Sequence, residues 1–286
     1  MKKKIYRVIG VMSGTSLDGV DLAYIEFEKS SVWEFDFLKT QTISYPEKWR
    51  VLLKEAFQYP QEKIDNLNRE YTLLLAEIIS NFISEHHISD IDAICSHGHT
   101  ILHQPKKGIT LQIGNLSLLA EKLGKTLVCD FRKQDVDFGG QGAPLVPIGD
   151  RLLFPEYDFC VNLGGFSNVS FTENNKTIAW DICPVNTVLN FYAQKLGKEF
   201  DENGKLAALG TIDYRLLEKL NQLEYYAQKP PKSLGIEWVN EKILPLIEAQ
   251  NLLEIDVLAT FVSHIAGQIA KSLKGDSSKK CLFTGG

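Results

Sequence analysis

The sequence has no apolar run approaching the roughly 20 residues that a membrane span needs, so it places no transmembrane helix. Cysteine is sparse: Cys95, Cys129, Cys160, Cys183 and Cys281 make five, odd in number, scattered and without metal-ligand spacing. That pattern excludes a disulfide framework and a zinc module, and the thiols read as reduced core residues of a cytoplasmic protein. Basic runs are missing beyond Lys2–Lys4, and the net charge of −5 argues against a nucleic-acid partner. Lys2–Lys4 followed by the apolar run Ile5–Met12 resembles the start of a secretion signal, but Arg7 interrupts the run and no small-residue cleavage site follows. Also absent are a P-loop and a G-x-G-x-x-G fingerprint, the two common signatures of nucleotide binding.

What is present is an α/β pattern over 286 residues, enough chain for two domains with sizeable cores. The first landmark is residues 10–21, Gly-Val-Met-Ser-Gly-Thr-Ser-Leu-Asp-Gly-Val-Asp, lying between two strand-like runs, Ile5–Met12 and Val20–Phe27. A turn bearing Gly14 and Gly19 exposes backbone N–H groups, and Ser13, Thr15 and Ser16 add small hydroxyl donors, a combination suited to phosphate oxygens. Asp18 and Asp21 would repel a bare phosphate, so they fit a site neutralised by Mg²⁺ or one that orients a hydroxyl substrate. An ordinary tight hairpin explains the same residues equally well.

Beyond this loop, Val32–Ser44 predicts a third strand, and apolar residues at three- and four-residue steps predict a helix over 60–85. Ile91–Cys95 and Thr126–Cys129 predict short strands, with Ser96-His97-Gly98-His99-Thr100 and Asp130-Phe131-Arg132 just past their ends, where open α/β sheets place ligands. Asn115 is the predicted cap of a helix over Leu116–Leu123. Asp135, Asp137 and the glycines of 139–142 predict a loop of close backbone approach, and the Pro-rich stretch 144–155, of low helix propensity, is the expected domain boundary. The second half repeats the opening plan: strand Tyr157–Asn162, glycine turn Leu163–Asn168, strand Val169–Thr172. A strand over Thr177–Trp180 then ends at Asp181, and a helix starts at Pro184 and ends at Gly197. Helical patterns follow over 213–224, 236–249 and 254–273, and Lys280–Thr284 predicts a last strand before Gly285-Gly286, a double glycine that leaves that strand uncovered. Two halves with one plan predict a duplicated fold holding a nucleotide triphosphate in a cleft between domains 1–150 and 151–286.

Laid out in this way, the sequence resembles the anhydro-N-acetylmuramic acid kinase family. The stretches that carry the resemblance are 10–21 (GVMSGTSLDGVD), 96–100 (SHGHT), 130–132 with 139–147 (DFR and GGQGAPLVP) and 162–168 (NLGGFSN). Further on, 180–186 (WDICPVN), 200–210 (FDENGKLAALG), 230–237 (PPKSLGIE) and 256–270 follow in family order. The resemblance implies two ribonuclease-H-like domains of the actin-like and sugar-kinase superfamily. It also implies a reaction, in which ATP and water convert 1,6-anhydro-N-acetylmuramic acid into N-acetylmuramic acid 6-phosphate for cytoplasmic peptidoglycan recycling. By the same resemblance Asp181 is the catalytic base. Gly14, Thr15, Ser16, Leu17, Asp18, Gly19, Val20 and Asp21 form the first ATP loop, and Gly164, Gly165 and Asn168 belong to the second. Ser13, His97, His99 and Arg132 face the sugar. Mg²⁺ is expected through the ATP phosphates, with Asp18 or Asp21 as candidate ligands and no metal cage made by protein alone.

An Asp preceding a helix at Pro184 would be kept ionised by the helix dipole, and simple helix capping is the competing role. The chain departs from the family in three places. Ile182-Cys183 stands where Thr-Gly is usual, His99, whose charge depends on pH, stands for a glutamine, and Leu234 and Ile236 replace more polar residues. The family also continues past the double glycine with more of the adenosine pocket and another acid, so the chain is expected to stop within that motif. His86, His87, His103 and His264 carry no predicted role. Two other functions stay open: a kinase for another amino sugar, or a non-catalytic ATP-binding member of the superfamily. The expected partners are small molecules, with no nucleic acid and no membrane, and a homodimer is among the open assembly states.

Overall fold

A computed structural model describes residues 4–14, 17, 19–104, 107–140, 142, 145–174, 176–230, 232–273 and 278–285. The chain divides into two compact units, 1–145 and 146–286.

In the first unit, β1 (Ile5–Ser13), β2 (Gly19–Lys29) and β3 (Trp33–Ser44) form an antiparallel meander. Helices α1 (Glu47–Glu55) and α2 (Gln61–Glu85) follow. Next comes β4 (Ala93–Gln104), which lies parallel to β1. β5 (Ile109–Ile113) folds back antiparallel on β4, and β6 (Leu127–Val128), reached through α3 (Ser117–Leu123), pairs parallel with β4. Helix α4 (Phe131–Asp137) completes the set. The period of α2 explains its place. Ile64, Leu67, Tyr71, Leu75, Ile79 and Phe82 form one buried stripe, packed with Ile9, Val11, Val20 and Leu22 of the sheet.

The second unit opens with α5 (Val146–Leu153) and a second meander, β7 (Phe159–Leu163), β8 (Phe166–Glu173) and β9 (Lys176–Pro184). Helices α6 (Asn186–Lys195), α7 (Tyr214–Asn221) and α8 (Glu224–Ala227) come next. A helical stretch then runs from α9 (Ile236–Trp238) through a π-turn at Val239–Ile243 into α10 (Leu244–Glu248). Helix α11 (Glu254–Ser272) leads to β10 (Cys281–Gly285), which lies parallel to β7. Both sheets therefore share one plan: three antiparallel strands, then a strand laid parallel beside the first. This is the duplicated α/β fold expected from the repeat, and the strand order is that of a ribonuclease-H-like unit.

Four local expectations change. The segment 96–100 lies inside β4, because a register shift opposite Met12 lets the strand continue past Gly98, whose φ is +68°. Residues 131–137 and 146–153 are helical despite their glycine and proline surroundings; Pro147 sits in the first turn of α5, where its missing N–H costs nothing. Asn115 does not cap α3, whose N-cap position is Leu116 with no side-chain cap bond. Finally, β9 runs on to Pro184, and α6 begins only at Asn186, so Asp181 lies within a strand rather than at a helix N-terminus. Among the described residues no helix is long and apolar enough to cross a membrane.

Two buried histidines set an acid limit on this fold. In the second unit, His264 Nδ1–H donates to Asn221 Oδ1 at 2.9 Å, and Nε2 accepts from the Tyr226 hydroxyl at 2.9 Å. Burial, then the charge of Lys271, pushes its pKa down to about 3. Burial, then His97, pushes His99 of the first unit down to about 4. A neutral histidine in the native state takes up a proton on unfolding below its unfolded pKa of about 6.5. The stabilisation is thus complete above that pH and is lost as pH falls toward 4, by about 1 kcal/mol per pH unit per histidine. Urea midpoints should fall between pH 7 and pH 5, and His264→Gln should flatten that dependence; a midpoint equal at both pH values would contradict this.

Candidate functional site

The predicted residues of the first unit separate into two pairs on opposite faces of one sheet. β1 has one residue, Met12, where β4 has two, His97 and Gly98, between the pairs Val11↔Ser96 and Ser13↔His99. An extra residue in one strand turns the following side chains to the other face. His97 therefore shares a face with Gly10, Met12, Asp21 and Ala23, while His99 turns inward with Ser13.

On the outward face, the Arg132 Nε–H donates to His97 Nε2 at 2.8 Å, and the His97 Nδ1–H donates to the carbonyl of Gly98 at 2.8 Å. These two bonds fix one neutral tautomer. Burial lowers the pKa of His97 and of Arg132; for His97 the bond to the Gly98 carbonyl partly offsets this and the charge of Arg132 adds to it. Arg132 is held further by its bond to the Gly142 carbonyl at 2.8 Å, and Gly142 N–H donates to Asp135 Oδ2 at 2.7 Å. Asp135 therefore ties down the glycine loop, whereas Asp137 pairs with Lys133 at the surface. An open concavity of about 590 Å³ on this face is lined by Met12, Asp21, Thr42, Cys95, His97 and Phe131, among others. Asp21 is exposed there and accepts a hydrogen bond from Thr42 Oγ1 at 2.6 Å.

On the inward face, Ser13 Oγ meets Tyr45 OH at 2.6 Å, Tyr71 OH at 2.8 Å and His99 Nδ1 at 2.9 Å, and the two tyrosine hydroxyls also bond each other. Both Ser13 and His99 are 2% exposed. The low pKa of His99 leaves it neutral near pH 7, so the pH-dependent charge expected of it falls outside the physiological range.

The loop between β1 and β2 is described only in part. Thr15, Ser16 and Asp18 lie outside the described residues. Leu17 has a φ of +63°, and its N–H donates to the Gly14 carbonyl at 3.4 Å. Gly19 is explained by packing, since a Cβ there would overlap the carbonyl of Ile43. Val20 has its side chain in the core, which leaves only its backbone to meet a ligand.

In the second unit the glycine turn closes onto α6. The Gly165 carbonyl accepts from Val185 N–H at 2.8 Å and Thr187 N–H at 3.2 Å, and the Gly164 carbonyl accepts from Asn186 N–H at 3.2 Å. Gly165 is exposed, and a Cβ added there meets only Thr187 Oγ1, at 2.9 Å. The register then builds a polar row across all four strands, Thr284↔Asn162↔Asn168↔Asp181. Ile182 is the unpaired residue of a bulge beside Asp181. Asp181 is clasped from outside the sheet. Its Oδ2 accepts from Leu234 N–H at 2.8 Å, its N–H donates to the Lys232 carbonyl at 3.1 Å, and its carbonyl accepts from Tyr225 OH at 2.5 Å. Burial raises its pKa, partly offset by the Leu234 N–H. The helix-dipole expectation is thereby overturned, because four residues separate Asp181 from α6 and burial raises its pKa rather than the helix lowering it.

The departures from the family pattern sort themselves by contact. Ile182 and Cys183 are core residues, 2% and 0% exposed, and Leu234 reaches Asp181 through its backbone alone. In 200–210, Asp201 is structural, accepting the N–H groups of Leu206 at 2.7 Å and Ala207 at 2.9 Å. Two residues that sequence reasoning passed over stand out. Asn162 opened the 162–168 stretch but only the register puts it beside Asn168. Asn115 has both amide atoms buried without a partner, and its Nδ2 is 2.8 Å from where a Cβ on Gly98 would sit. No local pattern distinguishes that asparagine from a helix cap.

Comparison with known proteins bears out the resemblance. The family model described as anhydro-N-acetylmuramic acid kinase matches residues 6–286. A protein of that name from Haemophilus influenzae is 34% identical, over all of this chain and 80% of its own length. One from Pseudomonas fluorescens is 38% identical over 97% of this chain and 79% of its own, and one from Pasteurella multocida is 36% identical over 96% and 75%. Among solved structures, a ROK family glucokinase from Streptomyces griseus in complex with glucose and AMPPNP is 12% identical, with a TM-score of 0.39 over 98% of this chain and 83% of its own. That likeness is too distant to add to the fold. With a family model spanning nearly the whole sequence and relatives above a third identical, this chain belongs to the anhydro-N-acetylmuramic acid kinase family.

Proposed function

We propose that this protein is an ATP-dependent kinase that converts 1,6-anhydro-N-acetylmuramic acid and water into N-acetylmuramic acid 6-phosphate in the cytoplasm, serving peptidoglycan recycling. The two units, 1–145 and 146–286, are its N-terminal and C-terminal kinase domains. The observation that carries the reading is Asp181, a half-buried carboxylate of raised pKa held by a backbone N–H and placed in register with Asn168. A base whose pKa lies nearer the operating pH is a stronger proton acceptor, and opening the anhydro bridge needs water to lose a proton as it attacks the anomeric carbon. The 6-oxygen released by that opening attacks the γ-phosphate, where positioning and charge neutralisation do the work.

The residues fit the group they would hold. The exposed backbone at Gly164-Gly165 and the loop at 14–21 suit phosphate oxygens, and the exposed carboxylate of Asp21 suits a Mg²⁺ carried on those phosphates. Asn168 completes the second ATP loop. His97 and Arg132 meet the sugar from the outward face and His99 through its ring from the inward one, while Ser13, its hydrogen-bonding capacity filled by Tyr45, Tyr71 and His99, acts only through His99. Arg132, fixed by two hydrogen bonds and partly buried, suits a carboxylate such as the lactyl group. Asn115 is added to this set on the strength of its unfilled amide.

Incubation with ATP and the anhydrosugar in ¹⁸O-labelled water tests the whole reading. A 6-phosphate should form with the label on the anomeric hydroxyl, and a product lacking the label would exclude hydrolytic opening. A panel of amino sugars without the anhydro bridge tests the second reading, a kinase for another amino sugar.

The glycine turn gives a separate prediction. Gly165→Val drives a branched side chain into Thr187 and covers the backbone that would meet phosphate. Losing a hydrogen bond to a charged group costs about 1.5–3 kcal/mol, so ATP should bind about 10- to 100-fold more weakly. Unchanged ATP affinity by calorimetry would remove Gly165 from the phosphate site.

A further inference from the structure

We infer that Tyr45 and Tyr71 are positioning residues whose hydroxyls, through Ser13, hold His99 as a pure hydrogen-bond acceptor toward a donor group on the sugar. The inference rests on the proposed role of His99 at the sugar and comes from counting protons. Four hydrogen bonds join Ser13 Oγ, Tyr45 OH, Tyr71 OH and His99 Nδ1. Each hydroxyl has one proton to give. Tyr71 donates to Ser13, so the bond between the tyrosines takes its proton from Tyr45. Tyr45 then has none left for Ser13, and that bond takes the serine proton. The serine is now spent as a donor, so the fourth bond must be donated by Nδ1–H of His99. Ser13 Oγ accepts twice and donates once, its full capacity.

One arrangement satisfies all four bonds, and in it the Nε2 of His99 carries a lone pair and no proton. The described residues give Nε2 no hydrogen-bond partner, and it is not among the fully buried unpaired atoms. Burial disfavours the doubly protonated ring, which removes the other way for Nε2 to become a donor. A bare Nε2 accepts from a sugar hydroxyl or amide N–H and repels a carboxylate or an ether oxygen. This sets a polarity at the position: the group read there is a donor, and the lactyl carboxylate belongs elsewhere. A glutamine in the same place can present its carbonyl and serve the same donor, whereas a leucine cannot.

The test reads the tautomer directly. In the full chain labelled with ¹⁵N-histidine, long-range proton–nitrogen spectra should show His99 with Nδ1 protonated and Nε2 bare. Tyr45→Phe and Tyr71→Phe keep ring shape but free the Ser13 proton to face Nδ1, so a population with Nε2–H should emerge in both. The KM for the anhydrosugar should then rise about five- to tenfold, the scale of one hydrogen bond, with the KM for ATP within about twofold. His99→Leu should raise the sugar KM at least as far as the tyrosine variants do, and His99→Gln by less than His99→Leu. Nε2–H dominating in the parent overturns the proton count. A shifted tautomer with unchanged sugar KM in both variants overturns the role in recognition. If one tyrosine variant does not fold, as its urea unfolding curve reports, the other decides. A parent that does not turn over the anhydrosugar refutes the proposed function instead, and the spectra still judge the ring.

Discussion

Asp181→Asn is expected to lower phosphorylation of the anhydrosugar by about 10²–10⁴-fold, the usual worth of a general base. The amide keeps the size of the side chain and an oxygen to accept from Leu234 N–H, so the clasp by the 232–234 segment survives. What disappears is the ability to take a proton from water. The competing role, helix capping, has no geometry left, since α6 starts at Asn186 with Val185 as its cap position. Nucleotide and sugar affinities should change little, placing the loss in kcat rather than KM. The raised pKa adds a pH signature, because the protonated carboxyl cannot act as a base. Turnover in the parent should therefore climb as pH rises through a value above 3.8, the ordinary position for Asp, and the acid limb should vanish in the variant. Near-normal turnover in Asp181→Asn, with an unchanged melting temperature, would end the mechanism.

The repeated strand–loop–strand plan was legible in the sequence because each meander is local: neighbouring strands, joined by glycine turns, carry their own alternation. The stripe of α2 was equally plain, since a 3.6-residue period depends on nothing outside the helix. The failures share a different cause. Strand β4 continues through His97, Gly98 and His99 because β5 and β1 pair with it, and neither partner is visible in a window around residue 98. Asp181 looked like the end of a strand because Trp180 ends the apolar run. Its true surroundings come from Leu234, 53 residues away. Bulges account for the rest. One at Gly98 and one at Ile182 each re-aim a predicted site residue, and a one-residue slip leaves no mark on composition. Site residues were thus named from motif spacing more readily than their faces were assigned.

Gly98 shows how much depends on one such slip. At a φ of +68°, a Cβ would lie 2.6 Å from the Ile113 carbonyl oxygen and 2.8 Å from Asn115 Nδ2. The left-handed conformation alone costs a non-glycine residue about 1–2 kcal/mol, and forcing a methyl group against fixed backbone adds about 1–3 kcal/mol. Gly98→Ala should therefore destabilise the protein by about 2–5 kcal/mol. Relief of that strain by straightening β4 would return His99 to the face of His97 and break the Ser13–His99 bond, so sugar turnover should fall further than the folded fraction does. Gly124→Ala is the control. Its φ is +60° and nothing lies within 4 Å of an added Cβ, so it should cost about 1 kcal/mol and leave activity intact. Urea midpoints and sugar KM measured on both variants separate the two effects. Gly98→Ala with parental stability and a parental sugar KM would show that the bulge does not set the faces of the two histidines.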